Sequence, residues 1–277
     1  MLSTEALVEL MNRHDTTVPR AVGAEAEAIA ALVDDVVERT AAGGRLVYVG
    51  AGTSGGLAAL DAAECRATFS AAPGQVIALV AGAGLSSPEQ DAAEEDAGAG
   101  AADIRAAGVC AADAVVGVSA SGRTPYVLGA LEVSAAEGAL TACVVSAPES
   151  DLARAVQHEI CMVLGPEVIA GSTRLKAGTA QKLVLNTLST AAMVRLGKTY
   201  GNLMIDVRAG TEKLRARARR AVELAAGVSA DEADNALEAA GGSAKVAVVS
   251  LLAGIEAESA RARLERCRGN IRAALAP

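Results

Sequence analysis

Five short apolar runs stand along the chain before Gly165: Leu46–Val49, Val76–Val80, Ala114–Val118, Leu140–Val145 and Ile160–Leu164. Most are rich in β-branched residues, near-continuous and bounded by Gly, Ser or Pro. That is the pattern of strands buried on both faces of a parallel sheet. Stretches with helical periodicity alternate with them. Ala21–Ala42 comes first and is stopped by Gly43-Gly44. Gly56–Cys65, Pro88–Ala107 and Thr124–Glu137 follow between the runs. Alternating β and α predicts an α/β fold, a three-layer α/β/α sandwich with a mainly parallel five-stranded sheet and right-handed crossovers.

The pattern changes after Leu164. Gly165-Pro166-Glu167 ends the last run, and long helices are expected over Ala177–Leu196 and Thr211–Ala226. Residues 230–275 read as three short helices. Ser229 and Glu232 offer a capping box for the first, and Gly241-Gly242 and Gly254 divide the rest. The expected domains are residues 1–225 and a C-terminal three-helix bundle over 226–277.

Composition narrows the chemistry. Hydrophobic residues make up 52% of the 277 but aromatics only 1%, so the core must be built from small aliphatic side chains. The net charge of −8 and the lack of a basic patch interleaved with aromatics argue against nucleic acid as a partner. The one basic run, Lys213 to Arg220, reads as a solvated helix face. The five cysteines, Cys65, Cys110, Cys143, Cys161 and Cys267, form no C-x-x-C pair and are expected as buried thiols in a reducing compartment. The N-terminal MLSTEALVELMNRHD carries charges every few residues, unlike a secretion signal. No uncharged apolar stretch reaches the ~18 residues that span a bilayer. A cytoplasmic protein without a membrane partner is expected. With only two histidines, His14 and His158, neither beside a motif, a His-dependent triad or zinc site is disfavoured and no metal is expected. Acid–base work falls to carboxylates, Lys or Tyr.

The candidate chemistry lies just after the strands. Residues 50–65 read GAGTSGGLAALDAAEC, and Gly50 to Gly55 match the dinucleotide fingerprint G-x-G-x-x-G. That fingerprint needs an acid at the tip of the second strand to hold a ribose. Here the tip is Leu79-Val80-Ala81-Gly82, with no acid, and there is no G-K-[ST] either. A sugar-phosphate loop fits better. After the third strand stands Ser119-Ala120-Ser121-Gly122-Arg123-Thr124-Pro125, with hydroxyls just ahead of a helix start. Thr53 and Ser54 supply a second hydroxyl pair. Hydroxyls in such places also serve as plain helix caps, but two such loops at neighbouring strand tips favour a ligand. Glu64, among apolar Leu57, Leu60 and Ala63, reads as an acid on a half-buried helix, where burial raises a carboxyl toward general-acid use. Glu94 sits in the acidic run Asp91–Asp96, whose plain reading is a solvated face. Gly171-Ser172-Thr-Arg-Leu-Lys176 opens the long helix, so its N–H groups and Lys176 are candidates to face an anion.

These segments resemble one family. GRLVYVGAGTSG, LDAAEC, AEED, VGVSASGRTPYVLGAL and GSTRLKAGTAQK, continuing to Asn202-Leu-Met, are similar to the bacterial N-acetylmuramic acid 6-phosphate etherases, which contain a sugar isomerase (SIS) domain. The resemblance runs from about residue 2 to the end. It implies cleavage of the D-lactyl ether of N-acetylmuramic acid 6-phosphate by elimination and hydration, with two glutamates and no metal or other cofactor. On the motif match these are Glu64, the proton donor, and Glu94, its partner acid/base; the spacing leaves Glu95 as a competing assignment. Thr53, Ser54, Ser119, Ser121, Arg123, Thr124, Ser172 and Lys176 are the expected substrate-binding residues. The chain departs from the family at Gly56, where arginine is usual, and at Arg66-Ala67, where two prolines are usual. A homodimer is expected, since SIS domains commonly pair and the helices after residue 176 are richer in Leu, Val and Ala than one sheet face needs. The alternatives are a non-catalytic, phosphosugar-binding regulatory SIS protein, and an aldose–ketose phosphate isomerase, which fits the fold but not the GSTRLKAGTAQK signature.

Overall fold

The apolar runs become five strands in the computed structural model, which describes residues 2–206 and 212–276. They are Leu46–Gly50 (β1), Val76–Val80 (β2), Ala114–Val118 (β3), Leu140–Val145 (β4) and His158–Cys161 (β5). They pair in parallel in the order β2-β1-β3-β4-β5. Three helices precede the sheet: Thr4–Asp15 (α1), Val18–Ala24 (α2) and Ala26–Ala41 (α3). Gly52–Phe69 (α4) follows β1, Ser87–Glu94 (α5) and Ala97–Ala106 (α6) follow β2, Pro125–Ala136 (α7) follows β3, and Asp151–Ala155 (α8) follows β4. Lys176–Arg195 (α9) is the long helix.

Both faces of the sheet are covered. Val47, Val49, Val115, Cys143 and Val145 form one core cluster with Ile104 of α6, Tyr126, Val127 and Leu131 of α7 and Leu152 of α8. The alternate positions, Leu46, Tyr48, Val116 and Val144, are equally buried and point the other way. There the buried Tyr48 hydroxyl donates to Asp61 of α4 at 3.0 Å, and Ser189 of α9 donates to the same carboxylate at 3.2 Å. Two buried faces explain why β3 and β4 match their apolar runs residue for residue; β2 matches its run too, although as an edge strand it is only half-buried.

Three boundaries depart from the sequence pattern. β5 begins at His158 rather than Ile160 and stops at Cys161. It is one of the two edge strands, where polar residues can pair, although the other, β2, stays apolar; Val163 within the apolar run is 66% exposed. The stretch Ala21–Ala42 is two helices, meeting at Glu25. Pro88–Ala107 is also two, because Asp96 turns out of the helix and caps α6, its carboxylate accepting from the Ala99 N–H at 3.0 Å.

The packing divides the chain into two compact units, residues 1–63 with 73–190, and residues 64–72 with 191–277. The second contains the short antiparallel pair Thr199–Tyr200 (β6) and Leu203–Met204 (β7), then helices Glu212–Ala226 (α10), Ala230–Ala239 (α11), Ala244–Ala253 (α12), Ala257–Arg266 (α13) and Ile271–Leu275 (α14). Thr211, the expected start of α10, lies outside the described residues. The Ser229–Glu232 capping box forms, and Gly254 ends α12 in a left-handed turn. A fourth short helix, α14, joins the three that were expected; its five residues are too few to show a period. Its apolar core gathers Val222, Leu237, Val246, Val248, Leu264 and Ile271. Beside it the buried Lys245 donates to Asp206 at 2.9 Å and to the Gly197 carbonyl at 3.2 Å; burial holds its ammonium below the ordinary lysine value.

One ion pair pins the entry of the sheet in the first unit. Asp113, 1% exposed, accepts from the Arg45 backbone N–H at 2.8 Å, from Arg45 Nη2 at 2.6 Å and from the Cys110 N–H at 3.1 Å. Burial pushes this carboxyl up, but the Arg45 guanidinium and the two backbone donors outweigh it, so it stays below the usual aspartate value. A depressed carboxyl gives stability that is present above its unfolded-state value and lost as pH falls through the folded one. Asp113→Ala is expected to cost about 3 kcal/mol at neutral pH in chemical denaturation, and to flatten the acid limb of stability against pH. A second, paired prediction concerns α4. A Cβ on Gly55 would stand 2.7 Å from Val80 Cγ1 and 2.9 Å from the Gly50 carbonyl oxygen, whereas one on Gly56 would meet nothing within 4 Å. Gly55→Ala should therefore destabilise by about 1–3 kcal/mol through overpacking, and Gly56→Ala should stabilise by about 0.5–1 kcal/mol. Equal effects in thermal melts would refute the steric distinction.

Candidate active site

In an open parallel sheet a ligand site forms beyond the carboxyl ends of the strands, where the connections diverge to the two sides. With the order β2-β1-β3-β4-β5 that point lies between β1 and β3. A cavity of about 160 Å³ opens there, and every residue that lines it belongs to the first unit. Ala51, Gly52, Thr53 and Ser54 line it from the start of α4. Ser119, Ala120, Ser121 and Thr124 line it from the loop after β3, Glu94 from the end of α5, and Thr173 from the segment before α9.

The glycines of the first loop serve geometry. Gly50 and Gly55 let β1 and α4 approach so closely that a Cβ on Gly50 would lie 2.8 Å from the Gly55 nitrogen. Gly52 takes φ +51°, a left-handed turn suited to glycine. The helix therefore starts directly at the strand tip. Its first closing bond is from the Gly55 N–H to the Ala51 carbonyl at 3.0 Å, so the N–H groups of Gly52, Thr53 and Ser54 lie at the open, positive end of α4. The match to the dinucleotide fingerprint reflects this close strand–helix turn, which phosphate loops of several kinds share.

The hydroxyls of the second loop form a directed chain. Ser119 Oγ, buried, accepts from the Gly122 N–H at 3.1 Å and lies 2.9 Å from Thr124 Oγ1. Thr124 Oγ1 in turn donates to Glu94 Oε1 at 3.3 Å. With its proton turned to Glu94, Thr124 receives the Ser119 proton. Thr124 is the N-cap of α7, yet its side chain makes no capping bond. The plain capping reading therefore fails at this residue. Ser121, exposed at the cavity rim, accepts from the Arg123 N–H at 3.3 Å and lies 3.3 Å from Ser119 Oγ, so the two serines share a hydrogen bond. Gly122 has φ +65°, and a Cβ there would stand 2.4 Å from Ser150, so the loop needs this glycine.

The two glutamates stand differently. Glu94, half-buried, lines the cavity; Glu95 is the exposed C-cap of α5 and does not. Glu64 lies further along α4, in the part belonging to the second unit, and is exposed in the single chain rather than half-buried. The helix turns it outward while Asp61, Ala62 and Cys65 turn inward.

Three other expected residues, Lys176, Ser172 and Arg123, are not among those that line the cavity. Lys176 is 3% exposed, and its ammonium donates to the Leu164 carbonyl at 2.6 Å. The N–H groups of Lys176 and Ala177 do face an anion, but it is the chain's own: they donate to the Glu167 carboxylate at 3.1 and 3.0 Å. Ser172 and the exposed Arg123 are not among the cavity-lining residues; Thr173, next to Ser172, is. Sequence reasoning missed Thr173 because which of two adjacent hydroxyls faces the cavity depends on the turn, not on residue type. It also missed Gln181 of α9, whose Oε1 accepts from Ser54 Oγ at 3.0 Å. Among the described residues no group of three or more His, Cys, Asp or Glu side chains is disposed to hold a metal, and no helix is long and apolar enough to cross a membrane.

Comparison with known proteins agrees with this geometry. Residues 28–135 match the model of the glucokinase regulatory protein N-terminal SIS domain. The fold is similar to phosphoheptose isomerases from Francisella tularensis and Neisseria gonorrhoeae. The TM-scores are 0.54 and 0.53 and the identities 17% and 14%, over 70% and 69% of this chain and 100% and 98% of theirs. Much nearer in sequence is the N-acetylmuramic acid 6-phosphate etherase of Rubrobacter xylanophilus, 55% identical over 99% of this chain and 91% of its own length. That of Streptomyces avermitilis is 52% identical over 99% and 89%. At such identity over nearly the whole chain, the protein belongs to the N-acetylmuramic acid 6-phosphate etherase family.

Proposed function

We propose that the protein cleaves the D-lactyl ether of N-acetylmuramic acid 6-phosphate, giving N-acetylglucosamine 6-phosphate and D-lactate. The observation that carries this is the 55% identity to an etherase over 99% of the chain, joined to a half-buried glutamate in a hydroxyl-lined cavity at the switch point. In the open-chain sugar the C1 aldehyde acidifies the C2 proton. A base removes that proton, the electron pair forms the C2–C3 double bond, and the C3–oxygen bond breaks. An acid delivers a proton to the departing lactate oxygen. Water then adds across the double bond, hydroxyl to C3 and proton to C2.

Glu94 is suited to the C2 step. The Thr124 hydroxyl fixes one of its oxygens, which leaves the other for the substrate. Glu64 is the proton donor to lactate. A donor needs shelter from bulk water to hold its proton near neutral pH, and Glu64 is exposed in the single chain. This supports a homodimer in which a second copy covers it. α1 supports the same reading: it buries no residue and exposes Leu7, Val8 and Met11, which share one face. The phosphate sits against Ser121, Thr53 and the open end of α4. Of the five cysteines expected as buried thiols, Cys65 and Cys143 are buried, Cys161 and Cys267 half-buried and Cys110 exposed; burial pushes Cys143 up to about 12 and Cys161 up to about 11, leaving these two inert and suited to a reducing, cytoplasmic setting.

Incubation with N-acetylmuramic acid 6-phosphate should release D-lactate in a coupled assay. Glu64→Gln and Glu94→Gln should each lower turnover by about 10²- to 10⁴-fold, while Glu95→Gln retains it. Wild-type protein that is stabilised thermally by the sugar phosphate but releases no lactate would show the regulatory alternative instead. Analytical ultracentrifugation should give a dimer; a monomer at micromolar concentration would rule out the covered Glu64.

A further inference from the structure

The open end of α4 is the positive end assigned to the phosphate, and one anion of the chain already faces it. A Cβ on Gly52 would lie 3.8 Å from Glu94 Oε2, so this carboxylate oxygen stands at the first residue of the helix, whose N–H groups are open there. The other oxygen, Oε1, accepts from Thr124 Oγ1 at 3.3 Å. An ionised carboxylate has no proton to give, so chemistry sets the direction of that bond. The cavity that Glu94 shares with Gly52, Thr53, Ser54, Ser119 and Ser121 measures about 160 Å³. Negative charges held a few ångströms apart, shielded from bulk water, repel strongly. A phosphate entering this cavity therefore competes with Glu94 for the same positive end.

We propose that Glu94 is the resident anion of the phosphate cradle, and that the substrate's phosphate, on taking the cradle, drives Glu94 Oε2 off the start of α4 and onto the sugar. Oε1 stays on Thr124 and serves as the pivot. Glu94 ends a short helix whose described residues before Ala93 are exposed, so little packing opposes the swing. The phosphate thereby delivers the base as well as anchoring the sugar. Binding energy from a group that does not react places the one that does. This rests on the phosphosugar reading of the site. It gives Glu94 two positions and makes the phosphate the condition for the second.

Two measurements test it. In calorimetric titration with inorganic phosphate, Glu94→Gln and Glu94→Ala should each bind about tenfold more tightly than wild type. The alanine variant excludes a new contact from the glutamine amide. Glu95→Gln removes the same charge one residue away, outside the cavity, and should change binding by less than about twofold, because solvent screens it. Unchanged or weaker binding in the Glu94 variants, or equal tightening in Glu95→Gln, would overturn the proposal. The second measurement uses wild type alone, so it decides even where a variant fails to fold. N-acetylmuramic acid, which lacks the phosphate, is supplied with and without inorganic phosphate at a concentration that saturates the cradle. Phosphate should raise D-lactate release from this sugar about tenfold or more, with the gain in kcat. Inhibition, or no gain, would overturn the delivery of the base by the phosphate. Wild-type protein that releases no lactate from N-acetylmuramic acid 6-phosphate refutes the etherase reading, whereas release from that substrate without activation by inorganic phosphate refutes only the swing given to Glu94.

Discussion

The approach of β1 to α4 through Gly50 and Gly55 is the constraint on which the candidate site depends. With no Cβ at either residue, the helix begins where the strand ends, and three backbone N–H groups arrive at the sheet's switch point together. Everything else in the cavity is arranged around that fixed positive end. The constraint is steric and therefore indifferent to the ligand. That is why the same glycine spacing fits a nucleotide loop on paper and lines a different kind of cavity here. What separates the two is the tip of β2, which carries alanine and glycine where a ribose would need an acid.

Around this end, polar groups are spent with direction. Ser119 gives its proton within its own loop, Thr124 gives its proton to Glu94, and Ser54 gives its proton to Gln181. Counting hydroxyls therefore overstates the donors on offer, and even the exposed Ser121 shares a hydrogen bond with Ser119 at 3.3 Å. The same chain connects Glu94 to the backbone of the loop after β3, so a carboxylate at the end of a short, mostly exposed helix is held by a buried threonine.

Much of the fold is legible in the chain because burial on two faces leaves a continuous apolar signature. β3 and β4 carry it without interruption, and the glycines at 241, 242 and 254 mark the helix ends of the tail. The signature fails at β5, where edge pairing requires no apolar side chains, and at Glu25 and Asp96, where a cap interrupts a helix without any change in hydrophobic period. In the site, the loops themselves could be read, since glycine and hydroxyl types are dictated by local geometry. The facing of individual groups could not. Thr173 rather than Ser172, the outward turn of Glu64 and the reach of Gln181 to Ser54 all depend on contacts far apart in sequence. The identity of the ligand came from motif resemblance and relatives, not from periodicity.

The Glu167 carboxylate on the first two N–H groups of α9 has a consequence for the segment between them. It closes residues 167–176 into a ring whose two ends are joined by side chain to backbone, and Lys176 fastens the same ring to Leu164. A short ring has little freedom left to lose. Thr173, carried on that ring, thus stands at the cavity before any ligand arrives, and the ordering of this wall is charged to folding rather than to binding.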